Sequence, residues 1–268
     1  MASSRYGPWP SGGGALFESE APLVSRRQVA RDTWVLGFEA HEVAAAARAG
    51  QFVNLALPGG PLLRRAFSVY RALDGMVEIL LRPVGDGTGI LAAMEVGGHV
   101  SCLGPLGRGF GLDPSGGPVA LLSGGLGAAP MPIAAAEAAR LGLPVVWVHG
   151  ARSAADLSSE WWGDRVVWAT VDGSRGHRGS AVEAVPAPTG QVLACGPNPM
   201  LAAVAERWPE AQVSIETYMA CGTGVCLGCA APKAGGGYDR ACTEGPVYRA
   251  ADLDWSRLPS PARVAVVG

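Results

Sequence analysis

Lysine is nearly missing from this chain of 268 residues: Lys233 stands alone against twenty arginines. Charged residues make up 16% of the chain and the net charge is −2. No run of basic residues occurs, which removes the electrostatic footprint of a nucleic-acid-binding or anionic-membrane-binding protein. No apolar stretch reaches the roughly 18–20 residues that a membrane-spanning helix needs, so no membrane segment is expected. Several catalytic signatures are missing too. There is no His-Glu-x-x-His pair, no Ser-His-Asp set and no carboxylate pair placed for acid–base work. His177, Trp161 and Trp162 are isolated and read as surface or packing residues. Residues 1–19 read as a disordered tail; Met1 to Gly14 is rich in Ser, Gly and Pro and lacks the apolar core of a signal peptide. A cytoplasmic protein with reduced thiols is expected. Hydrophobic residues make up 49% of the chain, enough for a sizeable core. The length suggests two domains with room for a small third.

Four of the six cysteines fall in one stretch, Cys221, Cys226, Cys229 and Cys242, spaced C-x4-C-x2-C-x12-C. This is close to the plant-type [2Fe–2S] spacing, in which three thiolates come from a tight loop and the fourth from a returning segment. Gly222, Gly224 and Gly228 lie between the first three, where a backbone free to take positive φ brings N–H groups up to cluster sulfurs. Two other readings compete. A structural zinc site also uses four cysteines, usually as two separated C-x2-C pairs. Disulfide stapling belongs to small secreted chains. The remaining two, Cys102 and Cys195, read by default as buried small hydrophobes.

Residues 20–113 read as an antiparallel β-barrel of six short strands, Leu23 to Val29, Trp34 to Phe38, Gln51 to Leu57, Ala66 to Tyr70, Met76 to Leu81 and His99 to Leu103. A helix over Gly87 to Met94 interrupts them, with Asp86 as its N-cap. Arg65, Ala66, Phe67 and Ser68 form an R-x-[YF]-S pattern. It suits a phosphate and a flat ring, or is an ordinary strand with an exposed arginine. Gly87 and Thr88 open the helix and suit a phosphate at its N-terminus, or only cap it. The Gly-rich run from Gly104 to Phe110 reads as a connection to the next domain.

Residues 114–215 alternate strand and helix, the pattern of a parallel α/β sheet. Gly124, Gly125 and Gly127, followed by Pro130, form a Gly-rich turn between a strand and a helix from Met131 to Arg140. The turn lacks the last glycine of G-x-G-x-x-G, the Lys-Ser/Thr of a P-loop and a downstream ribose-binding acid, yet still suits a pyrophosphate. Cys195, Gly196 and Pro197 follow another strand, at the sheet edge where ligands bind. The Cys195 thiol either meets a nicotinamide ring or is packed. Arg152 either meets a 2′-phosphate or is solvated. Residues 216–255 read as a small [2Fe–2S] domain and 256–268 as a tail.

In this order, barrel, α/β domain and cysteine loop, residues 20 to 255 resemble the ferredoxin–NADP reductase superfamily. Within it they look like the iron–sulfur electron-transfer subunits of NAD-dependent (class B) dihydroorotate dehydrogenases. The most specific match is Met219-Ala220-Cys221-Gly222-x-Gly224-x-Cys226-x-Gly228-Cys229, with Cys242-x-x-Gly245-Pro246-Val247-Tyr248 after it. Ala66 departs from the usual proline, and both termini are longer than the pattern.

The resemblance implies FAD held by Arg65, Ala66, Phe67 and Ser68 at its isoalloxazine and phosphates. Leu80, Leu81 and Arg82 would line the adenosine side, and Gly87 and Thr88 the pyrophosphate. It implies an NAD site from Gly124, Gly125, Gly127, Pro130, Cys195, Gly196 and Pro197, with Cys195 near the nicotinamide. Cys221, Cys226, Cys229 and Cys242 would hold the cluster, and Glu244 to Tyr248 would lie near the flavin. It further implies an FMN-containing dihydroorotate dehydrogenase catalytic subunit as partner, two of each chain, serving pyrimidine biosynthesis. Other partners with the same cofactors remain open, namely a hydrogenase, a sulfide dehydrogenase or a transhydrogenating ferredoxin reductase. A redox sensor without useful NADH oxidation also remains open.

Overall fold

The structure, a computed structural model, describes residues 15–158, 160, 166–186 and 190–258. The tail over 1–14, the Trp161–Trp162 pair and the stretch 259–268 lie outside the described residues.

The first half closes into an antiparallel barrel of β1 (Phe17–Ala30), β2 (Thr33–Glu39), β3 (Phe52–Ala56), β4 (Arg65–Leu73), β5 (Met76–Leu81) and β6 (His99–Leu106), in the order β1-β2-β5-β4-β3-β6. Closure depends on the length of β1. Its first half, Phe17 to Pro22, pairs with β6, and its second half, from Leu23, pairs with β2. Alternate residues then point inward, and Leu23, Leu36, Phe38, Val53, Leu55, Ile79 and Leu81 form a core with almost no exposed surface. Each such side chain contributes about 1.5–3 kcal/mol relative to leaving it exposed.

Several features differ from the sequence expectation. β1 begins at Phe17, inside the stretch assigned to the tail, because Phe17 to Glu20 complete the ladder with β6. β6 runs on through Gly104, Pro105 and Leu106, because these residues pair with β1 or β3 despite their composition. A short helix, α1 (His41–Ala46), caps one end and was not expected. α2 (Asp86–Ala93) takes Gly85, not Asp86, as its N-cap. The Thr88 hydroxyl does the capping: it accepts from the N–H groups of Val84 (2.9 Å) and Gly85 (3.1 Å) and donates to the Gly85 carbonyl (2.9 Å).

The second half alternates β7 (Val119–Gly124), α3 (Met131–Arg140), β8 (Val145–Ala151), β9 (Val166–Thr170), β10 (His177–Arg178), α4 (Ala181–Ala184), β11 (Gln191–Cys195), α5 (Asn198–Arg207) and β12 (Gln212–Ser214). The strands form one sheet, ordered β10-β9-β8-β7-β11-β12, and all these pairs are parallel. Strand order reverses between β7 and β11, the switch point where open α/β sheets bind ligands.

The C-terminal segment adds a hairpin of β13 (Ala230–Pro232) and β14 (Tyr238–Arg240), then β15 (Val247–Arg249). The expected separate cluster domain is stitched into its neighbour, since β15 pairs antiparallel with β12 and becomes the seventh strand of the sheet. Trp255 and Leu258 pack on the same core, so the chain stays engaged to the end of the described residues.

Candidate functional site

Three groups of residues gather where barrel, sheet and cysteine loop meet. On the barrel, β4 carries Arg65, Ala66, Phe67 and Ser68, all half-buried, paired with Leu55, Asn54, Val53 and Phe52 of β3. Arg65 reaches the start of α2: a Cβ on Gly87 would lie 3.0 Å from Arg65 Nε. A guanidinium thus stands beside a helix N-terminus whose glycine leaves the approach open, a pairing suited to a pyrophosphate. Leu80 and Leu81 are buried in β5. Arg82 follows them and donates to Thr33 Oγ1 at 3.1 Å.

On the sheet, the loops that follow β7 and β11 both lie at the switch point. Gly124 ends β7 and Gly125 has φ +54°. Gly127 is seated directly on the neighbouring loop: a Cβ there would lie 2.2 Å from the Cys195 carbonyl oxygen. Pro130 is the N-cap of α3, and Cys195 ends β11. A cleft of about 350 Å³ opens in front, lined by Gly124, Gly125, Pro197, Arg152 and Ser180 among others. Arg82 lines it too, so a residue expected on the adenosine side of FAD also faces the nucleotide cleft. Arg152 is exposed at its rim.

Cys195 is 6% exposed. Burial, with the nearby Glu216 carboxylate, pushes its thiol up to about 12, so it stays protonated at neutral pH and is no nucleophile. Burial also raises Glu216 above the usual carboxylate range. Asn198 fixes the Glu216 backbone from both sides, donating from Nδ2 to its carbonyl (2.9 Å) and accepting from its N–H at Oδ1 (3.2 Å). Sequence reasoning missed Glu216 and Asn198. The available signal was the position of Glu216 at the carboxyl end of the last parallel strand.

In the cysteine loop the four thiols fall into two pairs. Cys229 and Cys242 are buried, with their sulfurs 3.1 Å apart. Cys221 and Cys226 lie toward solvent, and the Cys226 N–H points at Cys221 Sγ at 3.4 Å. Among the described residues no three Cys, His, Asp or Glu side chains converge as ligands of one ion. Two pairs suit a cluster in which each iron takes two protein ligands. Backbone N–H groups already aim at the sulfurs: Gly224 at Cys242 (3.2 Å), Thr223 at Cys221 (3.4 Å) and Gly228 at Cys226 (3.4 Å). Gly222 and Gly224, at φ +72° and +83°, turn the backbone to do this. Burial pushes the Cys221 thiol up, but the N–H groups of Cys226 and Thr223 outweigh it and bring it down to about 6.

The loop is held from two sides. Arg240 donates from Nη1 to the Gly224 carbonyl (3.3 Å) and binds Glu244 through Nε (3.1 Å) and Nη2 (2.5 Å). From the barrel, Asn54 Nδ2 donates to the Cys221 carbonyl at 2.9 Å. No sequence signal pointed to Asn54, since an asparagine in a strand reads as solvent-facing.

A closed barrel, a doubly wound sheet with two loops at its switch point and a four-cysteine loop between them define a modular reductase that joins nucleotide and iron–sulfur sites. Residues 216–254 match the family model of the iron–sulfur cluster binding domain of dihydroorotate dehydrogenase B. The chain is 35% identical to the "dihydroorotate dehydrogenase B (NAD(+)), electron transfer subunit" of Desulforamulus reducens, over 88% of this chain and 98% of that protein. It is 36% identical to the protein of the same name from Bacillus caldolyticus, over 86% and 96%. Among solved structures it resembles an NADH-dependent reduced ferredoxin–NADP oxidoreductase, with a TM-score of 0.80 and 26% identity over 92% of each chain. The chain belongs to the family of dihydroorotate dehydrogenase B electron transfer subunits.

Proposed function

We propose that this chain carries electrons between a catalytic partner subunit and NAD(H), with FAD on the barrel and a [2Fe–2S] cluster in the cysteine loop. The observation that carries this reading is a pair of contacts: the Gly127 and Cys195 loops are seated on one another at the sheet's switch point, and the strand pair of the Arg65–Ser68 motif is tied through Asn54 to the cysteine loop. When bound, FAD joins the two-electron chemistry of nicotinamide to the one-electron chemistry of a cluster.

The protein's own part is positioning. Arg65, with Gly87 and Thr88, would hold the pyrophosphate of FAD, and Ala66, Phe67 and Ser68 would back its isoalloxazine. Leu80, Leu81 and Arg82 border the adenosine side. Gly124, Gly125, Gly127 and Pro130, with Gly196 and Pro197, would receive the nicotinamide nucleotide, with the neutral Cys195 thiol near the nicotinamide. Cys221 with Cys226, and Cys229 with Cys242, would hold the cluster. The segments 20–113, 114–215 and 216–255 thus serve as flavin, nucleotide and cluster units, though strand β15 ties the last two together. The catalytic partner is an FMN-containing dihydroorotate dehydrogenase subunit, in a complex of two copies of each chain that feeds pyrimidine biosynthesis. Among the described residues no helix is long and apolar enough to cross a membrane. All six cysteines are unpaired, as suits a reducing cytoplasm.

Purified protein should show flavin and iron–sulfur absorbance and reduce a dye with NADH. Cys226→Ser should abolish the cluster signal while NADH still reduces the flavin. A colourless, zinc-containing product would sink the proposal, as would a dihydroorotate dehydrogenase catalytic subunit that fails to co-purify.

A further inference from the structure

Asn54 lies in the middle of β3 and has no exposed surface. Its neighbours Val53 and Leu55 belong to the barrel core, so on the pleated strand Asn54 points the other way, out of the barrel. An amide buried this deeply is costly unless its hydrogen bonds are made. Asn54 satisfies its donor side alone. Nδ2 donates to the Cys221 carbonyl, 167 positions away in the chain, while Oδ1 is buried without a partner among the described residues. Leaving a buried acceptor unpaired costs its desolvation without return. Leucine would spare that cost. What only the amide supplies is the bond to the cysteine loop.

Two neighbours give that bond a purpose. Directly across the ladder from Asn54 is Ala66, between Arg65 and Phe67 on β4. Ala66 packs on the core that contains Cys229 and Cys242. On the loop side, Gly222 comes so close that a Cβ would lie 2.6 Å from Asn54 Nδ2. One side chain thus spans the strand pair of the flavin motif and the peptide of the first cluster cysteine.

We infer that Asn54 is a positioning residue for electron transfer: it clamps the Cys221 peptide to the flavin-bearing strands and fixes the gap that electrons cross. The inference rests on the proposal that the barrel holds FAD and the loop holds the cluster. Nothing in it requires Asn54 to touch either group. The clamp acts through the Cys221 carbonyl, so losing it should loosen the loop while leaving the thiol ligands in place.

The test uses full-length protein reconstituted with flavin and cluster. Asn54→Leu removes both polar atoms, and Asn54→Asp keeps the shape but sets an acceptor against the Cys221 carbonyl. Both should retain iron, flavin and the rate of flavin reduction by NADH. Electron transfer from reduced flavin to the cluster, followed by rapid mixing, should fall roughly tenfold or more, as expected when a reacting pair is misplaced. The electron paramagnetic resonance signal of the reduced cluster should shift or broaden. Amide hydrogen exchange at Gly222 to Gly224 should speed up, a readout that does not depend on turnover. Should Asn54→Leu fold poorly, Gly222→Ala disturbs the same contact from the loop side and should reproduce the defect. Unchanged transfer and an unchanged resonance signal in Asn54→Asp and Gly222→Ala would overturn the inference. If the unmutated protein binds neither flavin nor cluster, the functional proposal fails instead, and the two failures are told apart by that control.

Discussion

At the scale of single residues, one tight contact lies between the loops that follow β7 and β11. Gly127→Ala would force a methyl group to 2.2 Å from the Cys195 carbonyl. We expect a loss of about 1–3 kcal/mol in stability, as for overpacking elsewhere, together with slower reduction by NADH. Urea unfolding and steady-state kinetics check both. His149 carries a pH dependence. It is 2% exposed, its Nδ1 meets Ser123 Oγ at 2.8 Å, and burial brings it down to about 4. A histidine normally titrates near 6.5, so the unfolded chain binds a proton below that value while the folded chain does not until about pH 4. Stability should therefore fall with pH from about 6.5 to 4, by about 2 kcal/mol between pH 7 and 5. In His149→Asn that slope should vanish, and urea midpoints at the two pH values decide it. The four cysteines proposed to hold the cluster could be picked out from their spacing alone, because metal ligation dictates spacing along the chain. Asn54, Glu216 and His149 were not, since their roles depend on neighbours brought together only by folding.

At the scale of elements, α2 shows how a short helix can be both capped and open. The Thr88 hydroxyl takes up the N–H groups of Val84 and Gly85, just before the helix, while Gly87 keeps the approach to Arg65 clear. Thr88→Val keeps the shape and removes the cap. It should cost about 0.5–2 kcal/mol and speed the loss of flavin on dilution, followed by fluorescence. The long periodic elements were read nearly to the residue. α3 was expected from Met131 to Arg140 and spans those residues, and β5, expected from Met76 to Leu81, matches as well. Short elements escaped: β10 has two residues and α4 four, too few for any period to register. β1 was cut short because Ser19 and Glu20 carry no apolar alternation, and only the partner strand β6 makes them a strand. The antiparallel joining of β15 to β12 was also hidden, because pairing across more than thirty intervening residues leaves no local signal.

At the scale of the molecule, barrel and sheet are joined by a cluster of ion pairs. Arg27 of β1 binds Glu78 of β5 (2.6 Å) and Glu160, Arg71 of β4 reaches Glu160 at 3.2 Å, and the Tyr70 hydroxyl donates to Glu160 at 2.6 Å. A second link joins Arg31 to Asp156 at 2.8 Å. Glu160→Gln should weaken the first link and leave Arg27 and Arg71 with less compensation. We expect a higher KM for NADH with the cluster signal unchanged, measured by initial rates and resonance spectroscopy. Separately, β15 covers the outer side of β12, whose hydrogen-bonding groups would otherwise form an open edge next to buried Val213. Unpaired edges are templates for aggregation. The polypeptide that brings Cys242 back toward the loop therefore also acts as an edge guard. A chain cut after Ile215 should lose solubility as well as its cluster, so the reductase half cannot be separated from its iron–sulfur segment as a free-standing part.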